Sequence, residues 1–107
     1  MSLVKTETIK EFSNDVKKVL GDNVEEIILF GSYAKDSFVP GSDIDIAIIV
    51  KEKRPENEKE IWTIAEEYSS QHNVIFSPKI FEKTFFENKI EQNFSFYKDI
   101  ENEGIKL

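Results

Sequence analysis

Residues 29–50 read LFGSYAKDSFVPGSDIDIAIIV. The folding of this stretch decides the arrangement of everything around it. A Gly-Ser pair, Gly31–Ser32, follows one apolar run, and Asp43-x-Asp45 stands at the mouth of a second. Strands that build cores do not usually carry paired carboxylates. The run VEEIILF, Val24 to Phe30, reads as a strand that becomes fully apolar towards its end. DIDIAIIV, residues 43–50, reads as a second strand, rich in β-branched residues and buried on both faces beyond its first turn. Between them GSYAKDSF reads as a tight turn entering a short helix, and VPGS as a loop.

Side chains alternate along a strand, so Asp43 and Asp45 are expected on one face, ~6.5 Å apart at Cα, with Ile44, Ile46 and Ile48 turned into the core. Two ionised carboxylates converging in a partly dry site repel by roughly 4 kcal/mol, taking ~4 Å and an effective dielectric of ~20. Either one protonates or a cation sits between them. With no cysteine in the chain, the donors are hard oxygens of the kind Mg²⁺ prefers, and Mg²⁺ keeps room for water and substrate phosphates. Gly31–Ser32 supplies the other half. Glycine allows close backbone approach to a ligand, the N–H groups of the expected helix favour an anion, the Ser32 hydroxyl adds a donor, and Lys35 adds a charge for the same phosphates. A metal–triphosphate suits both halves. Taken singly each feature has a plainer reading: Gly-Ser pairs are mostly ordinary turns, and Ser42–Asp43 beside Gly41 serves as well to cap the start of a strand.

Working outward, Ile9, Phe12, Val16, Val19 and Leu20 recur at helical spacing, which predicts an amphipathic helix over roughly residues 5–20, ended by Gly21. KEKRPEN, residues 51–57, is a charged loop, and Pro55 marks the start of a helix whose apolar stripe is Ile61, Trp62, Ala65 and Tyr68, running to about Gln71. NVIFSPKIF, residues 73–81, is a third strand in which Pro78 points to an edge position or a bulge. Thr84 and Glu87 have capping-box spacing for a short helix. Ile90, Phe94, Tyr97 and Ile100 mark a final helix closed by Gly104. With neither repeats nor a linker, the expectation is one domain over residues 1–107, of α/β (α+β) class, with helices covering a sheet of three or four strands.

Composition narrows the function. At 107 residues, 39% of them hydrophobic, the chain suits one core and one domain. Met1 opens onto polar sequence rather than an apolar leader, and runs such as Ile46–Val50 fall far short of the roughly 20 residues that span a bilayer. A soluble, cytoplasmic protein is expected. A net charge of −7 argues against a long nucleic-acid partner, because phosphate neutralisation needs a basic face. A nucleotide bound through a divalent cation is compatible with it.

GSYAKDSFVPGSDID resembles the signature of the minimal nucleotidyltransferases, the MNT-type members of the DNA polymerase β superfamily: Gly-Ser, ten residues (here Tyr33 to Ser42), then Asp-x-Asp. The resemblance covers nearly the whole chain. It implies a small nucleotidyltransferase fold with a mixed sheet, two divalent metals, with Mg²⁺ the expected ion, and transfer of a nucleoside monophosphate from ATP or another NTP to a hydroxyl. It further implies that Gly31 and Ser32 hold the triphosphate while Asp43 and Asp45 are the catalytic, metal-ligating carboxylates. Stand-alone members of this size resemble antitoxins encoded beside HEPN-domain RNase toxins, and some adenylylate a tyrosine of the toxin.

The pattern departs from the family at one place. Active members carry a third carboxylate on a later strand, and here that strand, NVIFSPKIF, has none; Ser77 aligns where the acid stands. Glu82, just beyond, is the candidate substitute. Asp36 stands where glycine commonly follows the basic residue. His72 is read as a solvated or dipole-facing residue at a helix end, and Lys51–Arg54 as a charged loop beside acidic neighbours. The aromatics Phe81, Phe85, Phe86, Phe94, Phe96 and Tyr97 are mostly core, with some apolar surface left over for a partner. Three readings follow: an active nucleotidyltransferase acting on a partner toxin, a catalytically weak binding subunit of the same fold that neutralises a HEPN-type partner by contact, and a nucleotide-sensing subunit.

Overall fold

The computed structural model describes residues 6–37, 39 and 41–107. Helix α1 (Thr6–Leu20) presents Ile9, Phe12, Val16 and Leu20 to the interior and stops at Gly21, which takes a left-handed φ of +55°. One 3₁₀ turn leads into β1 (Val24–Phe30), and a second, Gly31–Tyr33, follows it. Strand β2 (Ile44–Val50) is succeeded by α2 (Pro55–His72), with Pro55 in the first turn and Asn73 at φ +53° ending it. Then come β3 (Phe76–Glu82), α3 (Lys83–Glu91), α4 (Ser95–Glu103) and a two-residue β4 (Ile105–Lys106).

The sheet order is β3-β2-β1-β4. β1 runs antiparallel to β2 and to β4, while β2 and β3 are parallel, so α2 serves as the long crossover that parallel neighbours require. The sheet is mixed, four-stranded and flanked by helices, as expected. Strand alternation gives it two different faces. Ile44, Ile46, Ile48 and Val50 on one face pack with Ile27, Leu29, Phe12, Val16, Ile61 and Ala65 under α1 and α2. Ala47 and Ile49 on the other pack with Ile28, Phe86 and Ile100, under α3 and α4. Each of these buried large side chains contributes about 1.5–3 kcal/mol relative to exposure. Asn23, almost fully buried, exchanges hydrogen bonds with the loop after β2. Its amide donates to the Glu52 carbonyl (2.8 Å) and its carbonyl oxygen accepts from the Glu52 N–H (3.0 Å).

Several expectations are corrected. The segment after Gly31 forms a 3₁₀ turn and further turn residues rather than a short helix, with Lys35 N–H donating to the Gly31 carbonyl and Ser37 N–H to that of Ser32. β2 begins at Ile44, one residue after Asp43. Trp62 lies outside the buried stripe of α2, 48% exposed. The Thr84–Glu87 spacing makes no cap, because α3 already begins at Lys83 with Glu82 before it. The final helix does not run through Ile90: Asn93 at φ +64° breaks the chain between α3 and α4. Gly104 ends α4 in an extended conformation and leads directly into β4, whose residues pair with Ile28 and Leu29. Pro78 sits on an edge strand, as its missing N–H demands. Phe38, Pro40 and residues 1–5, which belong to the expected GSYAKDSF turn, VPGS loop and first helical residue, lie outside the described residues.

Candidate active site

The Gly31 end of β1 and the first residues of β2 lie against each other, since Phe30 pairs with Asp45 across the ladder. Gly31 has φ +75°, and a Cβ built on it would stand 2.5 Å from Asp45 Oδ2 and 3.3 Å from its Cγ. The carboxylate therefore occupies the space a side chain at position 31 would need. Gly31 and Asp45, fourteen residues apart in the chain, meet at one point. Glycine is required here for the backbone conformation and again for the close approach.

On its other side Asp45 pairs with Ser77 of the parallel strand, so the residue aligned with the missing acid stands beside it on the same sheet face. Lys79, two residues on and on that face again, donates to the Ser77 hydroxyl at 3.4 Å. Burial pushes the Asp45 carboxyl above the ordinary carboxylate range; the Lys79 ammonium opposes this and the neighbouring Asp43 charge adds to it. Asp43 itself is exposed, just before the strand. The loop preceding it is closed by Ser42, whose hydroxyl accepts from the Val39 N–H and whose own N–H donates to the Val39 carbonyl, both at 2.9 Å. The Ile44 N–H donates to the Ile75 carbonyl at 2.8 Å, which fixes the start of β2 against the approach to β3.

Glu82 does not reach this place. It pairs with Val50, five positions along the ladder from Asp45 and Ser77, on the order of 16 Å away at ~3.3 Å per residue. Its carboxylate instead accepts the Lys53 N–H at 3.0 Å. Lys35 lies near Gly31 but is held by Glu103 of α4, Nζ to Oε1 3.3 Å. The two line a cavity of about 220 Å³ with Phe30, Gly31, Phe96, Asp99 and Gly104. Neither Asp43 nor Asp45 lines this cavity. Phe96, on α4, meets Phe30 edge-on at a centroid distance of 5.9 Å. Sequence reasoning missed Lys79, Asp99 and Glu103, and took Phe96 only as core or leftover apolar surface. Only strand register could have signalled the first, and the last three come from a helix whose placement depends on β4.

Among the described residues no three His, Asp or Glu side chains converge on a metal position. Asp43 and Asp45 are the two carboxylates that would hold a divalent cation here, hard oxygen donors of the kind Mg²⁺ takes. His72, exposed at the end of α2, stacks on Tyr68 at 6.0 Å, away from this set. Lys53 and Arg54 are paired with Glu58 and Glu52, and no helix among the described residues is long and apolar enough to cross a membrane.

The chain is similar to known proteins over most of its length. Residues 9–107 match the family described as "Nucleotidyltransferase domain". Two Methanocaldococcus jannaschii proteins, each named "Putative protein adenylyltransferase", are similar over most of their length. One is 38% identical over 102 residues, covering 94% of this chain and 96% of the relative. The other is 30% identical over 96 residues, covering 90% of each. A crystal structure of a "putative nucleotidyltransferase" from Sulfolobus solfataricus superposes with a TM-score of 0.52 at 18% identity, covering 94% of this chain and 76% of that one, and so shares the fold.

Proposed function

The chain belongs to the nucleotidyltransferase domain family, and from that premise we propose that it transfers the nucleoside monophosphate of ATP, with Mg²⁺, to a hydroxyl of a partner protein, a HEPN-type toxin being the expected partner. The observation that carries this reading is the contact between Gly31 and the Asp45 carboxylate, which brings the phosphate-cradle residue and the metal-ligand residue of the motif to one point. The names of the similar M. jannaschii proteins support a protein acceptor.

In this reading the Gly31 backbone and the Ser32 hydroxyl hold phosphate oxygens, and Lys35 joins them on leaving Glu103. Asp43 and Asp45 hold the cation, which when bound neutralises charge on the triphosphate and orients it. The acceptor oxygen attacks the α-phosphorus, a new P–O bond forms, the bond to the bridging oxygen breaks, and pyrophosphate leaves with the electron pair. Ser77 provides no base, so the hydroxyl proton passes to water. This forgoes a general-base contribution of typically 10²–10⁴-fold. The test is transfer of label from ATP radiolabelled at its α-phosphate to a HEPN-type toxin in the presence of Mg²⁺. Label on the toxin, absent with Asp43→Asn/Asp45→Asn, is the expected result; an unlabelled toxin overturns the reading.

A second reading, a binding subunit that neutralises its partner by contact, is favoured by Ser77 in the acid's place and by the exposed rings of Phe85, Phe94 and Phe96. Neutralisation that survives the double Asp→Asn change selects it.

A further inference from the structure

We propose that Lys79 holds the place of the second divalent cation, so that the site takes a single metal ion with its triphosphate. The inference rests on the nucleotidyltransferase reading above and departs from the two metals that the motif resemblance implies. Three observations carry it. The first is the donor set: Asp45 has Ser77, not a carboxylate, as its neighbour on the parallel strand, and no third acid converges among the described residues. Glu82, the nearest acid in sequence, is committed to the Lys53 N–H at the far end of the ladder. A second cation would gain only a neutral hydroxyl from that strand, whereas Mg²⁺ is usually held through one or two carboxylates with substrate phosphates.

The second is the position of a positive charge already built in. Lys79 shares the sheet face of Asp45 and Ser77 by strand alternation, and its ammonium reaches back to the Ser77 hydroxyl at 3.4 Å. A divalent cation bridging Asp45 and position 77 would meet that ammonium. The third is that the ammonium makes no salt bridge among the described residues, although the Asp45 carboxyl feels its charge. Lys35, Lys53 and Lys83 are held by Glu103, Glu58 and Glu25, whereas the Lys79 contact is one long hydrogen bond to a neutral oxygen. An exposed lysine so placed swings onto a phosphate oxygen at the cost of that bond and of part of its attraction to Asp45. Lysine binds phosphate as a point charge, and here it supplies part of the neutralisation that a second metal would otherwise give. Lys79 is a positioning and charge-neutralising residue in this scheme, and no proton moves through it.

The test counts metal ions rather than turnover. Mn²⁺ is titrated into the protein in the presence of saturating α,β-methylene ATP, and bound ions per chain are read by electron paramagnetic resonance. This is done for the wild type and for Ser77→Asp/Lys79→Ala, which restores the carboxylate and removes the ammonium. One Mn²⁺ per wild-type complex and two in the variant is the expected result. Two in the wild type overturns the inference and leaves the nucleotidyltransferase reading standing. One in both removes Lys79 and Ser77 as the determinants and also overturns it. Absence of any analogue-dependent Mn²⁺ binding in the wild type sinks the nucleotidyltransferase reading itself, and the inference with it. Both substituted positions lie on an edge strand, Lys79 exposed and Ser77 half-buried, and a circular-dichroism melt of the variant confirms that it folds before ions are counted.

Discussion

Replacing Gly31 by alanine imposes two separable costs. The backbone at φ +75° is the left-handed region, where an L-residue with a Cβ costs roughly 1–2 kcal/mol. The new methyl would also stand 2.5 Å from Asp45 Oδ2, far inside van der Waals contact, so Asp45 must rotate out of its rotamer well at a cost of about 0.5–1.5 kcal/mol. Together the loss is about 1.5–3.5 kcal/mol, which for a domain of this size lowers Tm by roughly 6–14 °C at about 4 °C per kcal/mol. The assay is a urea titration with a thermal melt, and a midpoint shift at constant slope identifies a change in stability. Asp45→Ala completes a cycle: with the carboxylate gone the overlap disappears while the backbone cost stays, so the double variant recovers about 0.5–1.5 kcal/mol relative to the sum of the singles. Additivity within about 0.3–0.5 kcal/mol, or a Gly31→Ala protein as stable as the wild type, would refute the reasoning.

Other outcomes are expected from the same geometry. Asp45→Asn should raise the Tm of metal-free protein at neutral pH. The folded pKa of Asp45 lies above its unfolded value, so its favourable contribution is full only below the unfolded pKa and is lost as pH rises through the folded one; melts in EDTA should show the gain shrinking as pH falls through the carboxylate range. Glu103→Gln frees Lys35 from a half-exposed pair worth at most about 1 kcal/mol. Calorimetry should therefore find Mg²⁺–ATP bound up to about fivefold tighter with Tm moved by less than about 4 °C. Asn23→Ala strands the Glu52 N–H and carbonyl, a loss of about 2–3 kcal/mol; Asn23 precedes the Val24 end of β1, away from Gly31, so ATP affinity should not change.

The two apolar strands were legible because alternation is a local property, and the helix α1 stripe from Ile9 to Leu20 was legible for the same reason, while Asp43, expected on the second strand with Asp45, lies one residue before it. The edge position of β3 followed from a single missing N–H at Pro78. What resisted reading was non-local. Whether Gly31 touches Asp45 depends on the β1–β2 register, and the uselessness of Glu82 depends on the β2–β3 register, neither of which the residues themselves announce. β4 is two residues long, too short for any periodicity, and its pairing is decided by Gly104, where an added Cβ would collide with Ile28 and the Ile100 carbonyl. The expected helix after Gly31 failed because the chain turns back through Asp36 at φ +55°, a conformation asparagine and aspartate tolerate and propensity does not foresee. Ile90 and Phe94 kept helical spacing across a break at Asn93 for a similar reason.

The unequal padding of the sheet bears on how the site moves. The face under α1 and α2 carries the larger cluster of fully buried side chains, while the face under α3 and α4 rests on Ile28, Ala47, Ile49, Phe86 and Ile100 and leaves Phe85, Phe94 and Phe96 half in solvent. Regions with fewer buried apolar contacts open at lower free energy than the molecule as a whole. Asp45 stands on β2, a strand packed on both faces, and the wall of the adjoining cavity, Phe96, Asp99 and Glu103, stands on a helix of the lightly packed layer. Amide hydrogens of α4 should exchange well before those of β2, and a ligand that fills the cavity should slow the first without touching the second. Affinity at this site then includes the free energy of holding α4 down, so a substitution far from any phosphate, at Phe86 for example, is felt as weaker binding.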